Sequence, residues 1–177
     1  TVTSLGTLST TNGTVTYEGV NQTIFSDDYY SLTAGGGSGT KTLGGDVTVA
    51  GDFTVDADVT FDVSSISDYS VSIGGALENN GTFSAQEGTV TFNGSDNQVF
   101  TPGSSSYYNI TLNNSGGDEK TLVIADDLVI DNDLTLTDGT LNLNSNDPAI
   151  SIGGDLAIAD GAVWTKGDET VTFDGAT

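Results

Sequence analysis

Apolar and polar residues alternate along this chain in very short runs. Asp46-Val-Thr-Val-Ala-Gly, Asp52-Phe-Thr-Val-Asp-Ala and Asp58-Val-Thr-Phe-Asp-Val are three successive six-residue phrases, each with an Asp, an apolar residue, Thr, an apolar residue and two corner residues. The phrase returns twice, at Asp127 and Asp133. Side chains of a strand alternate between its faces, so Val47, Val49, Phe53, Val55, Val59 and Phe61 share an inner side while Thr48, Thr54 and Thr60 lie outside. Each predicted strand has three or four residues and ends at Gly, Asn or Asp, which tolerate tight corners. No stretch shows the i, i+3, i+4, i+7 spacing of a helix, and 24 Gly oppose one.

A longer repeat contains these phrases. Gly6-Thr-Leu-Ser-Thr-Thr-Asn-Gly-Thr-Val-Thr-Tyr-Glu-Gly19 lies over Gly81-Thr-Phe-Ser-Ala-Gln-Glu-Gly-Thr-Val-Thr-Phe-Asn-Gly94 without a gap, and its end recurs as Glu169-Thr-Val-Thr-Phe-Asp-Gly175. Asn21-Gln22 matches Asn97-Gln98, Tyr29-Tyr30 matches Tyr107-Tyr108, Lys41-Thr-Leu43 matches Lys120-Thr-Leu122, and Ser72-Ile-Gly-Gly75 matches Ser151-Ile-Gly-Gly154. The offset drifts from 75 to 81 residues. Many short strands of even spacing suit a sandwich, a barrel or a solenoid, and the nested hexad favours the solenoid, whose equal sides need equal strands and corners. The expectation is an all-β chain forming a single β-solenoid over 1–177, with repeats at approximately 13–87 and 88–168 and partial repeats at 1–12 and 169–177. Roughly ten strands per unit would give about three three-sided coils.

The sequence shows no atypical capping segment, which solenoids commonly use to protect their edges. Two explanations stand side by side: excision from a longer repeat protein, or completion of the open ends by another copy, end to end.

Charge narrows the functional classes. Lys41, Lys120 and Lys166 are the only bases against 25 acids, giving a formal charge of −22. Nucleic acids and anionic membranes would be repelled. There is no Cys and no His, so cysteine proteases, serine–histidine triads and zinc hydrolases are excluded. No apolar run approaches the roughly 20 residues of a membrane span, so no membrane insertion is expected. Paired carboxylates could serve a glycosidase, but with 25 acids some pair always falls at a suitable separation. No enzyme is expected.

Gly88-Thr-Val-Thr-Phe-Asn-Gly, Tyr107-Tyr-Asn-Ile-Thr-Leu-Asn-Asn-Ser and Asp133-Leu-Thr-Leu-Thr-Asp-Gly-Thr-Leu-Asn-Leu resemble the long Thr/Gly/Asn-rich repeats of prokaryotic cell-surface β-solenoid proteins. The resemblance implies an extracellular, rod-like structural protein, a segment of a filament or adhesin stalk, and carries no catalytic residue.

Several residues could do more than build a rod. The 20 Asp, mostly at corners, can be read as solvation that blocks lateral pairing. A sharper reading gathers Asp127, Asp131, Asp133 and Asp138 into a Ca²⁺ site, although the segment lacks the Gly and Glu of an EF-hand loop. The Tyr29-Tyr30 and Tyr107-Tyr108 doublets could form a platform for surface glycans, with one ring of each turned inward, which makes an adhesin-type binding module the alternative. Outward rows such as Thr48, Thr54 and Thr60 could order water and bind ice. Tyr17, Phe92 and Phe173 share one repeat position and are expected to stack in the core or along one face. Lys41 and Lys120 read as charge balance, Lys166 beside Trp164 as surface packing, and Asn12, Asn21, Asn80, Asn93, Asn109 and Asn113 head glycosylation sequons.

Overall fold

The computed structural model describes residues 5–116 and 120–175, and these contain strands and no helix. The chain winds through coils of three strands. The first is β1 (Thr14–Tyr17), β2 (Gln22–Ile24) and β3 (Asp28–Tyr29); the second is β4 (Ser31–Ala34), β5 (Gly39–Leu43) and β6 (Val47–Val49). Next come β7 (Phe53–Val55), β8 (Val59–Asp62) and β9 (Val71–Ile73), then β10 (Leu77–Asn79), β11 (Thr82–Ser84) and β12 (Thr89–Phe92). The fifth and sixth coils are β13 (Gln98–Thr101), β14 (Ser106–Tyr107), β15 (Asn109–Asn113), and β16 (Thr121–Ile124), β17 (Leu128–Ile130), β18 (Leu134–Asp138). The seventh is β19 (Thr140–Asn142), β20 (Ile150–Ile152) and β21 (Leu156–Ile158), and β22 (Val163–Thr165) and β23 (Val171–Phe173) begin another.

Every third strand stacks in parallel on the one before, giving a three-faced β-solenoid of about seven turns. The first face runs β1-β4-β7-β10-β13-β16-β19-β22 and the third runs β3-β6-β9-β12-β15-β18-β21. The second face is two four-stranded pieces, β2-β5-β8-β11 and β14-β17-β20-β23. Its interruption has a local cause: the Phe83 amide of β11 donates to the Ser105 hydroxyl at 2.8 Å instead of to a carbonyl of β14. Coil length varies with the corners, for Thr14 pairs with Ser31, 17 residues on, and Phe53 with Leu77, 24 on.

The inner positions of the phrases meet along the axis. Val47, Val49, Phe53, Val55, Val59 and Phe61 are all buried, as the alternation predicts. Six rings touch in sequence, Phe53 to Phe61, Phe83, Tyr107, Phe100 and Phe92, with centroids 4.8–5.0 Å apart. The doublet Gly at Gly74 has no room for a side chain, since a Cβ would collide with the Ala50 carbonyl oxygen of the coil beneath. Its repeat partner Gly153 meets the Asp131 carbonyl in the same way.

The sequence repeat and the coil are out of step. The Thr-Val-Thr-aromatic phrase forms β1, β12 and β23, eleven strands apart each time, which lie on the first, third and second face. One repeat therefore spans three coils plus two strands instead of three coils. This corrects two expectations. Tyr17, Phe92 and Phe173 stand on different walls and do not stack on one another; the first two are buried and Phe173 is 60% exposed. Thr48, Thr54 and Thr60 belong to β6, β7 and β8, one on each wall, so they form no common row. Each joins a column on its own wall: Thr48 with Ser72, Thr91, Thr111 and Thr135, Thr54 with Thr16 and Thr33, and Thr60 with Thr40 and Thr82.

Candidate functional site

The corner acids are rungs between coils. The Oδ1 atoms of Asp46 and Asp52 accept the amide protons of Ser70 and Ala76, one coil on, at 2.9 and 2.8 Å. Their repeat partners Asp127 and Asp133 accept from Ala149 and Asp155, both at 2.8 Å. Asp68 accepts from Glu87 and Asp147 from Asp168, while Asn21 and Asn97 accept from Thr40 and Thr121. Ser70, Ala76, Ala149 and Asp155 each stand just before a strand, where the amide is beyond reach of the regular ladder, and a short side-chain acceptor at the corner below satisfies it. The same rung recurs on different walls because the repeat carries it round the axis.

The four residues considered for calcium are distributed over the sixth coil. Asp127 precedes β17, Asp131 and Asp133 flank the corner before β18, and Asp138 closes β18. They therefore occupy three different corners of the triangle. Asp131 Oδ2 accepts from the Ser106 hydroxyl at 2.8 Å and Asp138 Oδ1 from the Gly139 amide at 2.8 Å. Among the described residues no three acidic side chains are grouped to hold a metal ion. A groove of about 810 Å³ follows the corner between the first and second faces and is lined by Ser104, Ser106, Asp126, Asp127, Asn146 and Asp147. Its polar groups suit solvation.

The tyrosine doublets divide as alternation requires. Tyr29 and Tyr107 are fully buried, whereas Tyr30 is 37% exposed and Tyr108 half-buried. Tyr30 sits at the corner from third to first face and Tyr108 at the corner from second to third, so the two outer rings do not share a platform. Inside, the Phe25 amide donates to Tyr17 Oη at 3.1 Å, and Tyr29 Oη donates to the Phe25 carbonyl at 2.8 Å. Burial, then the contact with Tyr17, pushes the Tyr29 hydroxyl far above the ordinary phenol range. Burial does the same to Tyr107, partly offset by the Asn79 amide that donates to it.

The equivalent lysines have different surroundings. Lys41 is buried with Nζ on the Val20 carbonyl at 3.3 Å, while Lys120 is half-exposed and lies 3.6 Å from Asp96. Lys166 is held by its own loop, donating to the carbonyls of Gly167 and Glu169. Of the sequon residues, Asn12, Asn21, Asn80, Asn93 and Asn113 are exposed, whereas Asn109 accepts from the Asp133 amide and the Asn132 side chain.

Sequence reasoning did not distinguish the two ends, and here the walls are least complete. Inner columns that are sealed one coil below become open at the last coil. Leu136 and Ile152 are 0% exposed, but Ile158 and Phe173 above them are 47% and 60% exposed, and Trp164 is half-buried. Each wall thus presents one uncovered apolar side chain beside a row of strand amides and carbonyls. At the other end Leu5 and Leu8 lie partly against the core, and Leu5 lines an apolar groove of about 580 Å³ with Val15, Tyr17 and Phe25. Comparison of the chain with protein-family models, curated proteins and solved structures gives no match.

Proposed function

We propose that this chain is a structural rod element, a segment of an extracellular filament or adhesin stalk whose open coils associate end to end. The observation that carries this reading is the parallel stacking of successive coils into one three-walled β-solenoid of about seven turns, a rod whose length comes from repetition. An edge of parallel strands is a template for the next strand, and its apolar side chains gain by leaving water. The acidic surface supports the same reading, because charge opposes sideways sheet pairing while leaving the axial direction to coil stacking. Extracellular placement draws on the resemblance to surface repeat proteins.

Electron microscopy of the purified chain at physiological ionic strength tests the proposal. Uniform rods many times longer than one subunit are expected. Short, monodisperse particles over a range of concentration and salt would overturn end-to-end association.

A further inference from the structure

We infer that Asn80 and Asn93 are sites of self-modification, at which the amide of the following glycine closes on the asparagine side chain, and that the buried side-chain amides of Asn79 and Gln98 hold both sites unreacted. Both asparagines are exposed, and each is followed by glycine, Gly81 or Gly94. Neither glycine has room for a side chain: a Cβ on Gly81 would collide with the carbonyl oxygens of Asp56 and Val59, and one on Gly94 with the Gly74 carbonyl oxygen. Close stacking of the coils thus imposes glycine, the residue that least hinders ring closure on a preceding asparagine. The chemistry balances with water and hydroxide alone. The glycine nitrogen gives its proton to hydroxide and bonds to the Asn side-chain carbonyl carbon, whose C–N bond breaks as ammonia leaves with a proton from water. Water then opens the ring at one carbonyl or the other, giving Asp or an isoaspartyl linkage with an additional main-chain methylene.

At both corners the attacking nitrogen is engaged. The Gly81 amide donates to Asn79 Oδ1 and the Gly94 amide to Gln98 Oε1, each at 3.2 Å. A proton held in this way is harder to remove, and its nitrogen is kept from the close, aligned approach that bond formation needs. The two acceptor residues are 2% and 1% exposed and are fixed in turn by neighbouring coils. Asn79 Nδ2 donates to the Pro102 carbonyl at 2.9 Å, to Ser105 Oγ at 3.1 Å and to Tyr107 Oη at 3.3 Å, all in the coil above. Gln98 Nε2 donates to the Ile73 and Gly75 carbonyls at 2.9 Å, and its Oε1 also accepts from Asn114 Nδ2 at 3.2 Å. Parting of adjacent coils therefore loosens both guards. Ring closure then makes the opening permanent, because an added main-chain atom moves a short strand out of register with its neighbours. Asn144 supplies a contrast within the chain: it is exposed, Ser145 follows it, and the Ser145 amide has no hydrogen-bond partner among the described residues.

Peptide mapping by mass spectrometry after incubation at mildly alkaline pH tests the inference, since conversion changes the peptide mass from amide to acid and isoaspartate elutes as a separate form. In the folded chain Asn80 and Asn93 are expected to convert at least about tenfold more slowly than in the same chain unfolded in guanidinium, whereas Asn144 should differ less. Gln98→Met keeps the side-chain length but removes the acceptor, and should speed conversion of Asn93 about tenfold while Asn80 stays slow. Asn79→Leu should do the converse. Equal rates in the folded and unfolded parent chain would overturn the inference, as would variants that leave both sites slow or speed both alike. Amide exchange on the parent chain gives a reading that needs no variant: Gly81 and Gly94 are expected to exchange more slowly than Ser145, and exchange as fast as Ser145 would overturn the guards.

Discussion

The hydroxyl oxygens of Tyr17 and Tyr29 are 2.9 Å apart in the buried end of the first coil. Tyr29 also donates to the Phe25 carbonyl and Tyr17 accepts the Phe25 amide, so the two hydroxyls and Phe25 form one hydrogen-bonded group. The three residues close a circuit that satisfies both backbone groups of Phe25. Removing one hydroxyl leaves a buried polar group unpaired, at a cost of about 1–3 kcal/mol. Tyr17→Phe and Tyr29→Phe are each expected to lower urea stability by that amount, and a double-mutant cycle should show a shared contribution, not two independent ones.

Alkaline stability follows from the same residues. Tyr29 and Tyr107 hold their protons more tightly when folded than when unfolded. Their contribution is fully present below the unfolded phenol value of about 10 and is lost as pH rises from there toward the higher folded values. The melting temperature should fall above about pH 10, and Tyr107→Phe should flatten that fall, measured by thermal denaturation from pH 8 to 11.

The rung acids are separable by chemistry. Asp52→Ala and Asp133→Ala strand the amides of Ala76 and Asp155 and should each cost about 1 kcal/mol. Asp52→Asn and Asp133→Asn keep the acceptor oxygen, as Asn21 and Asn97 already do, and should restore stability while removing charge. Equal loss in Ala and Asn variants would refute the rung.

The ring column supplies a fourth test. Phe61 touches both Phe53 and Phe83 and is fully buried. Phe61→Ala is expected to cost about 3–5 kcal/mol in chemical denaturation, whereas Ile66→Ala, at a loop position 91% exposed, should change stability by less than about 0.5 kcal/mol.

Strand content and inward positions were legible because alternation and corner residues are local signals: Val47, Val49, Phe53 and Val55 point in as the phrases require. Which wall a strand joins was not legible. Wall assignment is a running count of corners, and a miscount of one strand in eleven moves every later residue to another wall. That is why Thr48, Thr54 and Thr60 read as one row and Tyr17, Phe92 and Phe173 as one stack. The rung role of the acids was not legible for a related reason, since the partner of Asp52 is an amide 24 residues away and backbone groups leave no trace in a sequence. Lys41 and Lys120 show the limit of repeat logic: matched in sequence, one is sealed in β5 and the other precedes β16 and reaches Asp96.

The eleven-strand repeat on a three-walled tube acts as a vernier. Eleven is not a multiple of three, so each duplicated unit is turned by one wall relative to the last, and a given residue returns to its starting wall only after three units and eleven coils. A substitution copied through such an array is therefore distributed along a slow spiral instead of a stripe. No single wall can be specialised by copying the unit, and every position must be acceptable on all three.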